Sequence, residues 1–386
     1  MTGASPRRTL AINRLRTRPD LDDAAVDRFL ERHDLPVVEG ERATFVFRGD
    51  ADEVRLVHRI VGVPSPLAMR RIGSTDLWYV TLELPFGSRV EYQYEVVRHA
   101  HAEQLNDPLN PRVAHSPVGS SSVCHATGYE VPEWTQPHMD ARPGTIVEVE
   151  VASRALRRTC QVQVYLPARF RPNARYPLLV VHDGSDYLHY ASMQTVLDNL
   201  IHRLDVAATI VAFISPGDRL SEYANSAAHA RFVAAELVPA LEAQFPLLGH
   251  RAARTLMGSS FGAIAAFSTA YRHPHLFGSL LLQSGSFVFT DIGSDHGGGE
   301  AFDPVVKFVN RYRARPTHVA DRIFMSCGVY EPLITPNRSM VPTLEAAGMT
   351  VRYVESRDGH SWESWRDRLR DGLSWISPGP QKFVYE

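Results

Sequence analysis

Past about Gly144 the chain alternates short, continuously apolar runs with longer stretches of helical period, and few folds can accept that pattern. The runs Ile146 to Val151, Thr159 to Leu166, Leu178 to His182, Ile210 to Ile214, Thr255 to Met257, Leu280 to Gln283, Ile323 to Ser326 and Val351 to Glu355 have the length of strands. Helical segments are expected at Met193 to His202, Arg231 to Gln244, Ala263 to His273, Pro304 to Tyr312, Ser339 to Ala346 and Trp362 to Trp375. A strand that is apolar on both faces must be covered on both. The expectation is therefore a mostly parallel sheet between layers of helices.

Before that point the period is two. Thr44 to Phe47, Val54 to Val57, Trp78 to Leu82 and Val90 to Tyr94 read as short strands separated by Gly, Pro, Asp and Ser, which suggests a small β-sandwich. Residues 1–40 form a charged extension with one helix, Asp22 to Arg32, whose Ala25, Phe29 and Leu30 make an apolar stripe. Asn106 to Pro111, followed by Ser120-Ser121-Ser122, reads as an irregular crossing loop. The expected division is an extension at 1–40, a β-sandwich at 41–130, a proline-containing linker at 131–143 and an α/β domain at 144–386.

With 41 basic and 43 acidic residues the formal net charge is -2, so nothing draws the chain as a whole to nucleic acid or an anionic membrane. No stretch is long and apolar enough to span a bilayer, and the first residues contain no apolar signal-like run. A cytoplasmic protein acting on a small molecule is expected, with the oligomeric state left open. Cys124, Cys160 and Cys327 are odd in number and widely spaced, which suits buried thiols better than disulfides or zinc. Asp295-His296-Gly297-Gly298-Gly299 lacks further ligands and reads as a flexible lid, so no metal and no cofactor are expected.

Chemistry gathers at the carboxyl ends of strands in an open α/β sheet. Gly258-Ser259-Ser260-Phe261-Gly262 joins a strand-like run to a helical one, and a sharp turn there would hold the Ser260 hydroxyl clear of the backbone. Glu331 and then His360 follow later strands, in the order serine, acid, histidine of an α/β-hydrolase. His360 would act as base toward Ser260 while Glu331 orients its ring. Asp358 competes for the acid's role, but it stands only two residues from the histidine it would have to orient. The N–H groups of Phe261, Gly184 and Ser185 are candidates for an oxyanion hole, since Asp183-Gly184-Ser185 follows another strand. Arg219, in Arg219-Leu220-Ser221-Glu222-Tyr223, could bind an anionic or catecholic substrate, or pair with Glu222 or Glu236. Trp362 and Trp365, three apart, share a helix face as core or pocket wall.

These residues resemble the enterochelin (enterobactin) esterase family, within the esterase D-like α/β-hydrolases that include feruloyl esterases and mycolyltransferases. The resemblance rests on His182-Asp183-Gly184, Arg219 to Tyr223, Phe232 with Glu236 to Pro239, Gly258 to Gly262, Gln283-Ser284-Gly285-Ser286-Phe287, Cys327 to Glu331, and Asp358 to Arg366. Trp78, Tyr92, Tyr94 and Asp107 to Pro111 resemble the immunoglobulin-like E-set module that precedes the hydrolase in that family. The resemblance implies an α/β-hydrolase fold with a smaller N-terminal β-sandwich (E-set) domain. It also implies a serine esterase that opens siderophore-type catecholate esters through Ser260, His360 and Glu331, with Arg219, Tyr187 and Trp362 near the substrate. Feruloyl or other natural-product esters, or acyl transfer, are alternatives that the same three residues would serve. A non-catalytic glycan- or partner-binding protein is a further one. Two departures stand out: Ser185-Asp186 delays the aromatic that commonly follows the Asp-Gly turn, and Ala263 replaces a second glycine after the elbow.

Overall fold

Alternating side chains force the period-two segments into sheets with one face turned inward, and two antiparallel sheets form. The computed structural model describes residues 9–290 and 299–380. It divides into two units, residues 1–130 with 357–359, and residues 131–356 with 360–386.

In the first unit, strands β1 (Val37–Glu39), β2 (Arg42–Arg48), β5 (Arg70–Arg71) and β6 (Leu77–Glu83) make one sheet, ordered β1-β2-β6-β5. Strands β3 (Glu53–His58), β4 (Leu67–Ala68), β7 (Arg89–Arg98), β8 (His101–Leu105), β9 (Val113–Ser116) and β10 (Gly119–His125) make the other. Its order is β4-β3-β7-β10-β9, with β8 on β7. Edge-on ring contacts, Phe45 with Tyr92 at 4.7 Å and Phe47 with Tyr94 at 5.7 Å, pack the inner faces together. Both tyrosine hydroxyls donate to Asp107 Oδ2, at 2.6 and 3.2 Å, so this buried carboxylate has partners.

Helices α1 (Ala11–Arg16) and α2 (Asp23–Glu31) lie on the outer face of the first sheet. The expected single helix is there as α2, capped by Asp22, which accepts the Ala25 N–H at 2.8 Å. However, Ile12, Leu15, Val26 and Phe29 share a core with Val46, Leu77 and Tyr79, so these residues belong to the unit rather than extending from it. Ser120 to Ser122 also differ from expectation. They lie in β10, where the buried Ser122 hydroxyl accepts the Asp107 N–H and side-chain bonding offsets weak strand propensity.

The second unit is built on eight strands: β11 (Thr145–Ser153), β12 (Arg158–Leu166), β13 (Leu178–His182), β14 (Ile210–Ile214), β15 (Arg254–Ser259), β16 (Ser279–Gln283), β17 (Arg322–Gly328) and β18 (Thr350–Ser356). Their order is β11-β12-β14-β13-β15-β16-β17-β18, with the first two pairings antiparallel and the rest parallel. One face carries α6 (Ala227–Arg231), α7 (Val238–Gln244), α8 (Phe261–Arg272), α9 (Asp303–Ala314) and α10 (Ile334–Ala346). The other carries α3 (Gly184–Tyr190), α4 (Met193–His202), α11 (Trp362–Asp367) and α12 (Leu369–Ile376). A short α5 (Arg219–Tyr223) follows β14. Two expected helices are interrupted. Between α6 and α7 a π-helical turn, Phe232–Leu237, precedes Pro239, which has no N–H to continue the ladder. The expected Trp362 to Trp375 helix breaks at Arg368, and α12 then buries Leu369 and Leu373.

Residues 131–143 are not a free linker. They contain a 3-10 turn at Glu133–Thr135, and the Asn199 amide donates to the carbonyls of Trp134 and Gln136 at 2.9 and 2.7 Å. The three cysteines are free and buried, and burial pushes the Cys124 thiol up to about 12. Among the described residues no helix is long and apolar enough to cross a membrane, and no group of three His, Cys, Asp or Glu could hold a metal. The Asp295 to Gly298 part of the expected lid lies outside the described residues.

Candidate active site

Between the end of β15 and the start of α8 a single residue makes the whole turn. Ser260 has φ +54° and ψ −121°, a conformation that costs roughly 1–3 kcal/mol and persists only where the surroundings impose it. Here the Ser260 N–H donates to the Gln283 carbonyl at 2.9 Å, and its own carbonyl accepts from Ser286 N–H at 3.2 Å. Gly258 is required by crowding: a Cβ there would lie 2.4 Å from the carbonyl carbon of Gly262.

Neighbouring strand ends supply the remaining groups. Glu331, past β17, is 1% exposed; its Oε1 accepts from Ser284 Oγ at 2.6 Å and from Gly328 N–H at 2.8 Å. Its Oε2 lies 2.5 Å from His360 Nδ1, beyond β18. Burial opposes ionisation of Glu331, but the His360 contact, Ser284 and the Gly328 N–H outweigh it, so the carboxyl titrates below its ordinary range. With Nδ1 engaged, Nε2 is the nitrogen left for proton transfer. The imidazole stands edge-on to Trp365 at 5.0 Å, which restrains its rotation. Asp358 is occupied elsewhere, by Arg89 Nη1 at 3.2 Å and the Gly359 N–H at 2.7 Å.

The Gln283 to Ser286 loop ties this cluster together. Trp365 Nε1 donates to Ser284 Oγ at 2.9 Å, and the Asn337 side chain bonds both the N–H and the carbonyl of Gly285. Ser286 Oγ is 3.3 Å from Ser260 Oγ. Sequence reasoning assigned no role to Ser284, Ser286 or Asn337. The run Gln283 to Ser286 was the available signal, but small hydroxyls on a loop do not reveal their partners.

On the opposite side β13 ends at His182 and turns through Asp183, at φ +54°. Gly184 is obligatory because a Cβ would meet the Phe213 backbone at 2.5 Å. Asp183 receives both Arg219 nitrogens, Nε at 2.8 Å and Nη2 at 2.7 Å, and its N–H donates to Tyr223 Oη at 3.1 Å. Arg219 is thus paired, but with neither Glu222, which holds Arg158, nor Glu236, which accepts from Ser153 and two backbone N–H groups. Its side chain remains 38% exposed, and the guanidinium carbon sits 5.9 Å from the centre of the Phe261 ring.

Among the described residues the N–H groups of Phe261 and Gly184 have no acceptor within the protein, while the Ser185 N–H points at Ser215 Oγ, 3.5 Å away. That leaves two free donors of the three expected. Tyr187 and Trp362 do not stand where the resemblance implies, although Trp362 fits its reading as core or pocket wall. Tyr187 is fully buried with its hydroxyl donating to Gln283 Oε1 at 2.8 Å, so it has no face for a substrate. Trp362 is buried edge-on against Tyr187 and Trp365, and both serve as wall behind the loop.

Beneath the Asp183 turn lies a neutral histidine pair. His182 Nδ1 faces the Met257 carbonyl at 2.8 Å and must carry a proton, so its Nε2 accepts from His229 Nε2 at 3.1 Å. Burial, then His229, push His182 down to about 3; burial also lowers His229, despite Glu222 3.8 Å from its Nδ1. Unfolded chains protonate these rings below about pH 6.5 while the fold does not, so stability falls as the pH drops from there toward about 3. For His182 the slope is up to about 1.4 kcal/mol per pH unit. Tm should therefore decline between about pH 7 and pH 4.5, more shallowly in His182→Gln; equal slopes in the two proteins would contradict this.

Comparison with known proteins bears on the fold and on the class of reaction. Residues 153–376 match the Esterase family model. The Iron(III) enterobactin esterase of Escherichia coli O6:H1 is 25% identical over 339 residues, covering 80% of this chain and 81% of that protein. An acetyl esterase of Caldicellulosiruptor saccharolyticus is 20% identical, covering 60% of this chain and 98% of its own. The crystal structure of enterochelin esterase from Shigella flexneri superimposes with a TM-score of 0.71 at 21% identity, over 88% of this chain and 94% of that one, and shares the fold. With a family match over more than half its length and an α/β-hydrolase fold, the chain belongs to the Esterase family and is a carboxylic ester hydrolase similar to the enterochelin esterases.

Proposed function

We propose that the protein hydrolyses esters through an acyl-enzyme, with Ser260 as nucleophile, His360 as general base and acid, and Glu331 orienting the imidazole. The observation that carries this reading is the buried Glu331 carboxylate on His360 Nδ1, tied through Ser284 and Ser286 to the strained Ser260 turn. Ser260 Oγ attacks the ester carbonyl as its proton passes to His360 Nε2, and the Phe261 and Gly184 N–H groups stabilise the oxyanion. The intermediate collapses by breaking the bond to the alkoxy oxygen, which leaves as an alcohol with the proton from His360. Water, deprotonated by the same nitrogen, then releases the acid and restores Ser260.

The substrate class we favour is the siderophore-type catecholate ester, because the relative similar over four-fifths of the chain is an Iron(III) enterobactin esterase. The partly exposed Arg219 guanidinium beside Phe261 suits an anionic or catecholic acyl group. A mass-spectrometric competition among cyclic and linear catecholate esters, feruloyl esters and simple acyl esters tests this. Catecholate esters should be consumed first. Preferred cleavage of feruloyl or acetyl esters would reassign the substrate, and a protein that neither cleaves any of them nor reacts with a fluorophosphonate would be a binding protein instead.

A further inference from the structure

Charge is unevenly matched in the first unit. Arg14, Arg48, Arg55, Arg89 and Arg98 each lie within 4.0 Å of a carboxylate. Arg16, Arg42 and Arg70 have no such partner among the described residues, and all three line one groove. Its origin is visible in the register. Arg42 stands opposite Glu83, Thr44 opposite Thr81 and Val46 opposite Tyr79, while Arg70 pairs with Tyr79 from the other side. Period two places these rungs on one face of the sheet. Helices α1 and α2 cover the end that carries Val46 and Tyr79, and beside them Arg42 and Arg70 are exposed. The result is a cavity of about 510 Å³ lined by Asn13 and Arg16 of α1 and by Arg42, Arg70, Tyr79 and Thr81.

Three guanidinium groups around one concavity repel one another, and a bound anion would turn that repulsion into attraction. Arg16 Nη1 donates to Tyr79 Oη at 3.0 Å, which steadies it and leaves its other N–H groups available. Thr81, bonded to Thr44 at 3.0 Å, and Asn13 add neutral polar groups. Glu83 also lines the groove but forms an ion pair with none of the three arginines, so positive charge remains in excess. Planar guanidinium forks match paired oxygens, and the volume suits a small organic molecule.

We propose that this groove is a binding site for a small, multiply charged oxyanion, one that presents two or more phosphate, carboxylate or catecholate groups. The groove belongs to the first unit, and nothing in the proposed hydrolysis mechanism depends on it. Calorimetric titration of the full chain with pyrophosphate, citrate and a ferric tris-catechol complex, at low and high salt, distinguishes the three sources of that chemistry. At least one should bind saturably and more weakly as salt rises. Arg42→Ala/Arg70→Ala should weaken it by about tenfold or more, and Glu83→Gln should tighten it. Both arginines are exposed, so the variant should keep its Tm and its turnover of a neutral p-nitrophenyl ester. Saturable binding by none of the three probes would overturn the proposal. So would affinity unchanged in the arginine variant, or affinity lost in Arg219→Ala instead.

Discussion

Alanine at Ser260 or at His360 is expected to lower kcat/KM for a p-nitrophenyl ester by about 10⁴- to 10⁶-fold. As the proposed nucleophile and base, the two positions should act as one unit, with the double variant scarcely slower than either single one. Fluorophosphonate labelling separates the roles. The Ser260→Ala protein should not react at all, whereas His360→Ala should react slowly, because its hydroxyl remains but lacks a base. Near-normal turnover in His360→Ala would mean that another base serves Ser260, and the proton-transfer role would have to be reassigned.

Glu331→Gln is expected to cost about 10²- to 10⁴-fold in kcat, with KM little changed. An amide at this position can donate toward Nδ1 and favour the wrong tautomer, and it no longer stabilises the imidazolium. Asp358→Asn makes the informative comparison. Its carboxylate holds Arg89, which is 2% exposed and retains Glu91 at 3.0 Å, so the loss should appear as about 1–3 kcal/mol of stability rather than as lost turnover. A larger loss of kcat in Asp358→Asn than in Glu331→Gln would exchange the two assignments. The pH dependence is a further check. Glu331 titrates below its ordinary range, so its stabilisation of the fold is complete above that range and is lost as the pH falls through the lowered value. An acidic decline in activity above about pH 5 must therefore come from another group.

Much of the second unit could be read in advance because its signals are local. Leu178 to Val181 and Leu280 to Leu282 are apolar without interruption because helices cover both faces of the sheet. The crowding that makes Gly258 obligatory arises within five consecutive residues. Where reading failed, the cause was a partner far along the chain. Ser122 is a strand residue because it receives the Asp107 N–H, and α1 belongs to the first unit because Ile12 and Leu15 meet Leu77 across more than sixty residues.

The same contrast runs through the candidate active site. Local pattern settled the class of fold and the turn that presents Ser260, since both are written in contiguous residues through period, length and steric need. Strand order and register decided the rest: that Glu331 rather than Asp358 meets His360, that Arg219 braces Asp183, that Tyr187 and Trp362 are walled in, and that Ser284 and Ser286 bond Glu331 and Ser260. Hydrogen bonds a few ångströms long between residues tens of positions apart depend on how the sheet is assembled, and one-dimensional periodicity carries no record of that assembly.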